Sequence, residues 1–317
     1  MGGNSIKGTA LAVMAAVLWG VSGTFGQFLF QERGVDVVWL LSIRMLGAGS
    51  CLLLLAKFRE RTSILGIWKN RKDAVTLATF TVAGMLAVQY TYFAAVQETN
   101  AATATVLQYA GPIFIAGYLA IINRRLPVAR EFLALVLAVV GVFLLVTHGD
   151  IQRLAISEWG LFLGLASAVA LAIYTLQPVK LLSRYPAALI IGWAMIGGGL
   201  ICGIIKAPWH AAGRWDWPAY LSTVFIVIFG TLIPFYAYVT AVKLIGGQKA
   251  SLLASTEPLA ATILGVLWLH TPFTVIDWIG SICIVSTVFL LSRRKASDAD
   301  RPTAQRQRTR DHASTRN

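Results

Sequence analysis

One carboxylate stands inside a long apolar run, in the segment LLASTEPLAATILGVLW at positions 252–268. Glu257 is followed at once by Pro258, which has no backbone N–H and therefore disrupts a helix around it. Burying an unpaired charge costs several kcal/mol, so the side chain of Glu257 should face away from lipid. Glu257 is thus the first candidate for substrate binding or proton coupling, and packing against a neighbouring helix is the structural alternative.

The composition of the whole chain indicates whether that run lies in water or in a lipid bilayer. Of the 317 residues, 57% are hydrophobic and 13% are charged, and the mean hydropathy is +0.69, values typical of membrane proteins. No sustained β-barrel alternation occurs, and apolar windows long enough to span a bilayer follow one another. The predicted fold class is an all-α polytopic membrane protein with ten transmembrane helices, at 8–30, 38–56, 74–96, 101–122, 131–147, 159–181, 187–205, 219–242, 249–269 and 274–292.

The basic residues are divided unevenly between the two faces of these windows. The net charge is +13, and with a cytoplasmic N-terminus 22 of the 27 Lys and Arg residues lie on the cytoplasmic side and four outside. This is the positive-inside pattern, so the basic charge requires no nucleic-acid partner. We expect a multi-pass protein of the plasma or inner membrane, with both termini cytoplasmic and a disordered basic tail.

The two halves of the chain repeat each other at an offset of 146 residues. YTYFAAV at 90–96 aligns with YAYVTAV at 236–242, and Pro112 aligns with Pro258. Five helices is an odd number, so the second copy crosses the membrane in the opposite sense, an architecture typical of transporters with a binding site at the midplane. The expected organisation is a cytoplasmic N-terminus, a first five-helix repeat, an external connector, a second repeat and the basic tail, at 1–7, 8–147, 148–158, 159–292 and 293–317.

Four segments look like helices of a known transporter family, namely TATVLQYAGPIFIAGYLAI (103–121), KASLLASTEPLAATILGVLWL (249–269), LWG (18–20) and LSIRMLGAG (41–49). The chain resembles the drug/metabolite transporter superfamily in its ten-helix EamA-type branch. Arg125 and Thr271 depart from that family, which often has glutamate at these places. The resemblance implies export or exchange of a small metabolite such as an amino acid, an amine or a drug.

Depth and internal symmetry indicate which residues form the central site. Glu257 lies roughly 12 Å below the cytoplasmic end of its window. Pro112 and Pro258 are expected to bend their helices and to act as hinges, and Arg44 is a candidate for an intramembrane ion pair with Glu257. The further residues predicted to bind substrate or to take part in coupling are Gln108, Tyr109, Ser255, Trp19, Tyr90, Trp193 and Tyr236. Aromatic residues in such helices also pack as core or as interface belts.

Two other classes of protein are alternatives to a transporter. GVSG at 20–23 resembles the nucleophile motif of rhomboid intramembrane proteases, but Ser22 would need a histidine at its own depth, and the histidines fall at helix ends, in loops or in the tail. A non-transporting membrane subunit is the second alternative. The sequence has no Walker A phosphate loop and no metal-ligand spacing. We therefore expect a gradient-driven transporter rather than an enzyme, without a cofactor, whose partners are a small molecule, membrane lipids and, if it is coupled, protons.

Overall fold

The computed structural model describes residues 2–122, 124, 126, 128–148 and 155–292. In this part of the chain nine helices are long and apolar enough to cross a membrane, and a shorter apolar helix follows them. The same residues form no strand. The predicted all-α membrane fold is confirmed, and the membrane-spanning segments begin and end within three residues of the predicted windows. The basic tail, most of the external connector and Arg125 lie outside the described residues.

The ten helices are labelled α1 to α10 in chain order. α4 and α9 each consist of two pieces, which are labelled a and b. The bounds are Ser5–Glu32 (α1), Val37–Phe58 (α2), Arg71–Glu98 (α3), Ala101–Gln108 (α4a), Gly111–Ile122 (α4b), Ala129–Thr147 (α5), Glu158–Leu182 (α6), Ala187–Ile205 (α7), Trp217–Ile245 (α8), Gly247–Ala254 (α9a), Glu257–Leu269 (α9b) and Val275–Ser292 (α10).

Polar residues directly before several helices determine where those helices begin. The Asn100 side chain accepts a hydrogen bond from the Thr103 amide at 2.8 Å at the start of α4a, and Ser157 accepts one from the Gly160 amide at 3.0 Å at the start of α6. These side-chain oxygens satisfy amides that have no partner within the helix. The same role is taken at α2, α3 and α8 by Asp36, Asn70 and Asp216.

α4 and α9 are interrupted at matching positions. Residues 109–110 separate α4a from α4b, and residues 255–256 separate α9a from α9b, which is the same offset of 146 residues that relates Pro112 to Pro258. Each proline removes one helical hydrogen bond and crowds the preceding turn. The sequence predicts broken or bent helices at these places, and the structure shows a two-residue turn at each, bridged by backbone hydrogen bonds such as Ala110 N–H to the Leu107 carbonyl and Thr256 N–H to the Leu253 carbonyl.

The helices pack in pairs that correspond when the two halves are exchanged. α1 packs on α8 and α9b, and α6 packs on α3 and α4, while α2 packs against α7 and α5 against α10. α3 and α8 each contain a wide π-helical turn, at Phe80–Leu86 and Ile228–Leu232, and these turns overlap at the offset of 146 residues. Such correspondences are what a pseudo-two-fold relation between the halves requires.

α4a and α9a occupy corresponding positions in different surroundings. Residues 101–107 of α4a are all buried, since this piece packs against α1, α3, α6 and α9b. α9a packs mainly against α1, α8 and α10, and it includes the exposed Lys249 and the half-buried Leu252 and Leu253. α4a is therefore more fully enclosed by the bundle than α9a is.

Two ion pairs connect corresponding loops at opposite ends of the bundle. Nε of Arg33, after α1, donates to both carboxylate oxygens of Asp216, before α8, at 3.1 and 3.2 Å. Partial burial opposes ionisation of Asp216, but the hydrogen bonds from Arg33 and from a backbone amide outweigh it and lower its pKa. At the other end Arg184 lies 2.9 Å from Asp73 of α3. The Tyr185 hydroxyl donates to Asp73 at 3.0 Å, and burial together with this bond raises the pKa of Tyr185.

Candidate functional site

Glu257 occupies the first turn of α9b, where the helix starts again inside the bundle. First-turn amides have no partner in the helix and carry partial positive charge, which favours an anion there. α1 passes beside this turn at Gly20, where a Cβ would lie 2.5 Å from the Glu257 carbonyl oxygen and 2.9 Å from the Ala261 nitrogen. Glycine at this position allows the close approach, so the start of α9b is held against α1.

A phenol from α4 connects the two interruptions. The Tyr109 hydroxyl oxygen lies 2.5 Å from the Ala254 carbonyl oxygen and 3.1 Å from Oε2 of Glu257. The Ala254 carbonyl is the one that Pro258 leaves without its helical partner. Tyr109 therefore replaces the hydrogen bond that the proline removes, and it does so from the matching interruption in the other half of the chain.

The Tyr109 hydroxyl has one proton for two acceptors. If Glu257 is ionised, the phenol donates either to Ala254 or to Glu257, and the other oxygen has no donor from Tyr109. If Glu257 is protonated, its O–H donates to the phenol oxygen while the phenol donates to Ala254, so all three groups are satisfied. A cationic ligand beside Glu257 would supply a donor equally well. The arrangement is suited to binding either a proton or an ammonium group.

Further aromatic residues surround this pair. Tyr92 of α3 lies one turn of α1 away from Glu257, because a Cβ at Gly20 would meet the Glu257 carbonyl oxygen and a Cβ at Gly23 would meet the Tyr92 hydroxyl oxygen, each at 2.5 Å. The ring of Trp19 in α1 lies 5.3 Å from that of Tyr238, centroid to centroid. Glu257, Tyr109, Tyr92 and Tyr238 are called the Glu257 cluster below. The cluster brings together side chains from α3, α4, α8 and α9.

Arg44 of α2 is buried without a carboxylate. It is 3% exposed, and its guanidinium carbon lies 4.6 Å from the centre of the Phe93 ring. Its Nε and Nη1 have no hydrogen-bond partner. In the described part of the chain no ion pair joins Arg44 to Glu257, so the pairing considered from the sequence is not formed in this conformation.

The structure favours the second tyrosine of each Y-x-Y motif over the first. Tyr90 and Tyr236, the predicted site residues, are 41% and 37% exposed, and Tyr236 lies 5.6 Å from the guanidinium of Arg59. Residues two apart in a helix point about 200° away from each other. Tyr92 and Tyr238 therefore take the interior positions. The Y-x-Y motif can be recognised in the sequence, but the sequence does not show which of its two tyrosines faces the interior of the bundle.

Trp193 is held at the loop between α2 and α3. Its indole N–H donates to the Ile64 carbonyl at 2.7 Å, and its ring meets that of Trp68 edge-on at 5.3 Å. An indole satisfied in this way anchors the loop. Of the two predicted tryptophans, Trp19 is the one that the structure brings to the Glu257 cluster.

Gln108 and Ser255 lie at the two interruptions. Gln108 is half-buried, whereas Ser255 is 4% exposed and its hydroxyl has no hydrogen-bond partner. At the offset of 146 residues Ser255 corresponds to Tyr109, and Gly111 corresponds to Glu257. The phenol and the carboxylate thus come from opposite halves, and neither has a chemical equivalent at the matching position. The two interruptions therefore correspond in backbone structure, but their side chains differ in chemistry.

Ser22 of the GVSG motif is buried against the π-helical turn of α8 at Gly230, and its hydroxyl has no partner. His148, at the end of α5, lies 3.3 Å from Asp277, and His270 terminates α9b. No histidine in the described ranges is paired with Ser22, so the dyad of a serine protease is not formed there. Those ranges also contain no group of three or more His, Cys, Asp or Glu residues that could hold a metal ion.

Sequence comparisons match nearly the whole chain. The model of the EamA-like transporter family matches residues 6–147 and 158–293. A protein of Salmonella typhimurium, named as the uncharacterized inner membrane transporter YicL, is 39% identical over 300 residues, which cover 94% of this chain and 100% of the relative. The threonine/homoserine exporter RhtA of Escherichia coli K12 is 26% identical over 297 residues, which cover 90% of this chain and 92% of the relative.

The fold is also similar to a solved one. A crystal structure of another protein matches with a TM-score of 0.59 over 92% of this chain and 98% of that chain, at 18% sequence identity. At this level of identity the likeness concerns the fold alone.

Proposed function

The chain belongs to the EamA-like transporter family, and from this premise we propose that it exports or exchanges a small organic metabolite by alternating access. It is a multi-pass membrane transporter of the drug/metabolite superfamily. The substrate classes considered are amino acids, amines and drug-like compounds. The name of the relative RhtA, a threonine/homoserine exporter, supports the amino acids as the first class to test.

The observation that carries this proposal is the bridge from Tyr109 to the interruption of α9. Interrupted helices at matching positions of two repeats are where transporters of this architecture bind substrates and coupling ions. In the proposed mechanism Glu257 binds a proton or the cationic group of the substrate. Gln108, Tyr109, Ser255 and Trp19 contribute further contacts, and Pro112 and Pro258 are the hinges.

The different surroundings of α4a and α9a support a cycle with two states. With both termini in the cytoplasm, α4a lies in the external half of the membrane and α9a in the cytoplasmic half. In the proposed cycle, the fuller enclosure of α4a makes this conformation the inward-facing state. Exchanging the surroundings of the two repeats, 8–147 and 159–292, produces the outward-open state.

Counterflow in proteoliposomes tests the transport function. Vesicles are loaded with an unlabelled compound, and uptake of the labelled compound reports exchange in either direction. The compounds are amino acids, beginning with L-threonine and L-homoserine, followed by amines and cationic drugs. Exchange of at least one compound is expected, and failure across the whole set by correctly reconstituted protein would contradict the proposal.

The variant Glu257→Gln tests the role of the carboxylate, because glutamine keeps the shape but cannot ionise. Binding retained with loss of pH-gradient-driven flux would support a proton role, and loss of both would support direct recognition of an ammonium group. Retention of both would leave Glu257 with a packing role. The matched control is Glu98→Gln, at the exposed end of α3, which should change neither quantity.

A further inference from the structure

The guanidinium of Arg44 has donors that the protein does not use. Arginine stays charged and presents five N–H donors in a planar fork, and Phe93 contacts the guanidinium carbon through its ring face and accepts no conventional hydrogen bond. A buried cation without an anionic partner is costly, by several kcal/mol. Arg44 is nonetheless 3% exposed, with Nε and Nη1 unpartnered. Such a group fits a ligand that brings its own negative charge.

A second buried donor lies on the helix face that Arg44 contacts. Gln89 is 8% exposed, and its amide nitrogen has only the Met85 sulfur, at 4.0 Å, as an acceptor. A thioether is a weak acceptor. Gln89 and Phe93 are four residues apart in α3 and so share one face of that helix. An amide donor and a guanidinium are thus under-used in one region of the bundle.

This region is continuous with the Glu257 cluster. Gly20, Gly23 and Gly26 share one face of α1, and a Cβ at each would lie 2.5 Å from the Glu257 carbonyl oxygen, 2.5 Å from the Tyr92 hydroxyl oxygen and 2.7 Å from the Phe93 ring, respectively. Tyr92 therefore lies between Glu257 and the Phe93 ring that Arg44 contacts. Arg44 is seven residues from the start of α2 at Val37, roughly 10 Å along the helix axis. The bundle interior therefore presents a cationic group and an acidic group that are separated by a phenol.

We propose that Arg44 binds the carboxylate of the transported substrate while Glu257 engages its ammonium group, so that the substrate class is the amino acids. Arginine forms bidentate, charge-assisted hydrogen bonds with carboxylates, and Gln89 offers a further donor. The inference rests on the proposed transport function and adds the chemistry of the ligand. It assigns Arg44 a specificity role in place of the intramembrane ion pair.

Pairs of compounds that differ by one carboxylate test this assignment. L-Threonine is compared with 1-amino-2-propanol, and L-homoserine with 3-amino-1-propanol, in counterflow with the wild type and with Arg44→Gln. The variant should raise the half-saturating concentration of the amino acids roughly 10- to 100-fold, the range of a lost charge-assisted hydrogen bond. The amines should change by less than about threefold, within the scatter of a neutral contact.

Two further variants separate recognition from folding. Arg44→Lys keeps the charge without the fork, and its half-saturating concentration for the amino acids should fall between those of the wild type and Arg44→Gln. Arg214→Gln removes an arginine whose side chain is 77% exposed, and it should match the wild type. If Arg44→Gln does not fold, the amino-acid-to-amine preference is read from Arg44→Lys, where a loss of preference supports the assignment and an unchanged preference overturns it.

The remaining outcomes also decide the question. Equal losses for amino acid and amine would overturn the assignment and give Arg44 a role in packing or in the transport cycle, and no change for either would overturn it as well. If the wild type exchanges amines but not amino acids, the transport function is supported and the carboxylate site at Arg44 is contradicted. If the wild type exchanges no compound at all, both the transport function and the carboxylate site are contradicted.

Discussion

At the scale of single residues, the Tyr109 hydroxyl has one proton for two acceptors, the Ala254 carbonyl and the Glu257 carboxylate. A proton on Glu257 and an ammonium group beside it satisfy the same carboxylate, so they compete for one position. This competition is the property that an exporter coupled to an inward proton gradient requires. In such a cycle substrate binding on the inside releases the proton, and a proton from outside displaces the substrate.

Removal of that hydroxyl should weaken both the fold and transport. In Tyr109→Phe the Ala254 carbonyl, which Pro258 deprives of its helical partner, loses its donor at 2.5 Å. An unsatisfied buried carbonyl costs about 1–3 kcal/mol, so the thermal unfolding midpoint in detergent should fall and counterflow should slow. Tyr118→Phe, on α4b with an exposed ring, is the control and should change neither. Wild-type behaviour of Tyr109→Phe would contradict the bridging role.

At the scale of helices, the contact of α1 with α9b positions Glu257. A Cβ at Gly20 would meet the Glu257 carbonyl oxygen at 2.5 Å, the Ala261 nitrogen at 2.9 Å and the Ala260 Cβ at 3.0 Å. Two of these three atoms belong to the backbone, which cannot relieve a close contact by a change of rotamer as a flexible side chain can. Any side chain at position 20 must therefore separate α1 from the turn that carries the carboxylate.

Gly20→Ala should consequently abolish counterflow and lower stability by about 1–3 kcal/mol, the usual cost of overpacking. Gly117→Ala is the matched control, because nothing lies within 4 Å of the Cβ position on α4b. That control should be active and more stable by up to about 1 kcal/mol, since alanine favours a helix over glycine. Equal activity of the two variants, measured at equal reconstitution, would show that the α1–α9b contact does not position the site.

The helices and their interruptions could be predicted from the sequence, whereas the packing between them could not. Hydropathy locates the spans because lipid demands long apolar helices, and Pro112 and Pro258 mark the interruptions because proline lacks an amide hydrogen. Glu257 and Tyr109 followed from depth and symmetry. The inner position belongs to Tyr92 rather than Tyr90 because of how α3 is rotated against its neighbours, and the contact of Gly20 with α9b depends on rotation in the same way. A single sequence does not contain that information.

At the scale of the whole molecule, the ion pairs between loops follow the pseudo-symmetry of the two halves, whereas the surroundings of α4a and α9a do not. The ion pairs Arg33–Asp216 and Arg184–Asp73 hold corresponding loops at opposite ends, and both are formed in this conformation. The bundle nevertheless encloses α4a more fully than α9a. A rocking motion that keeps both ion pairs and exchanges the surroundings of α4a and α9a would expose the Glu257 cluster to each side in turn.

The measurement that tests this account most directly is the accessibility of Gln108→Cys from each side of the membrane, with Cys51, Cys202 and Cys283 replaced by alanine. Gln108 is half-buried at the interruption of α4. An impermeant thiol reagent should label it in inside-out vesicles and, more slowly, in intact cells, and saturating L-threonine should protect it on both sides. Replacing both Pro112 and Pro258 by alanine should confine labelling to one side. Labelling of the parent variant from one side only, or labelling that no compound active in counterflow reduces, would contradict alternating access to a site at this interruption.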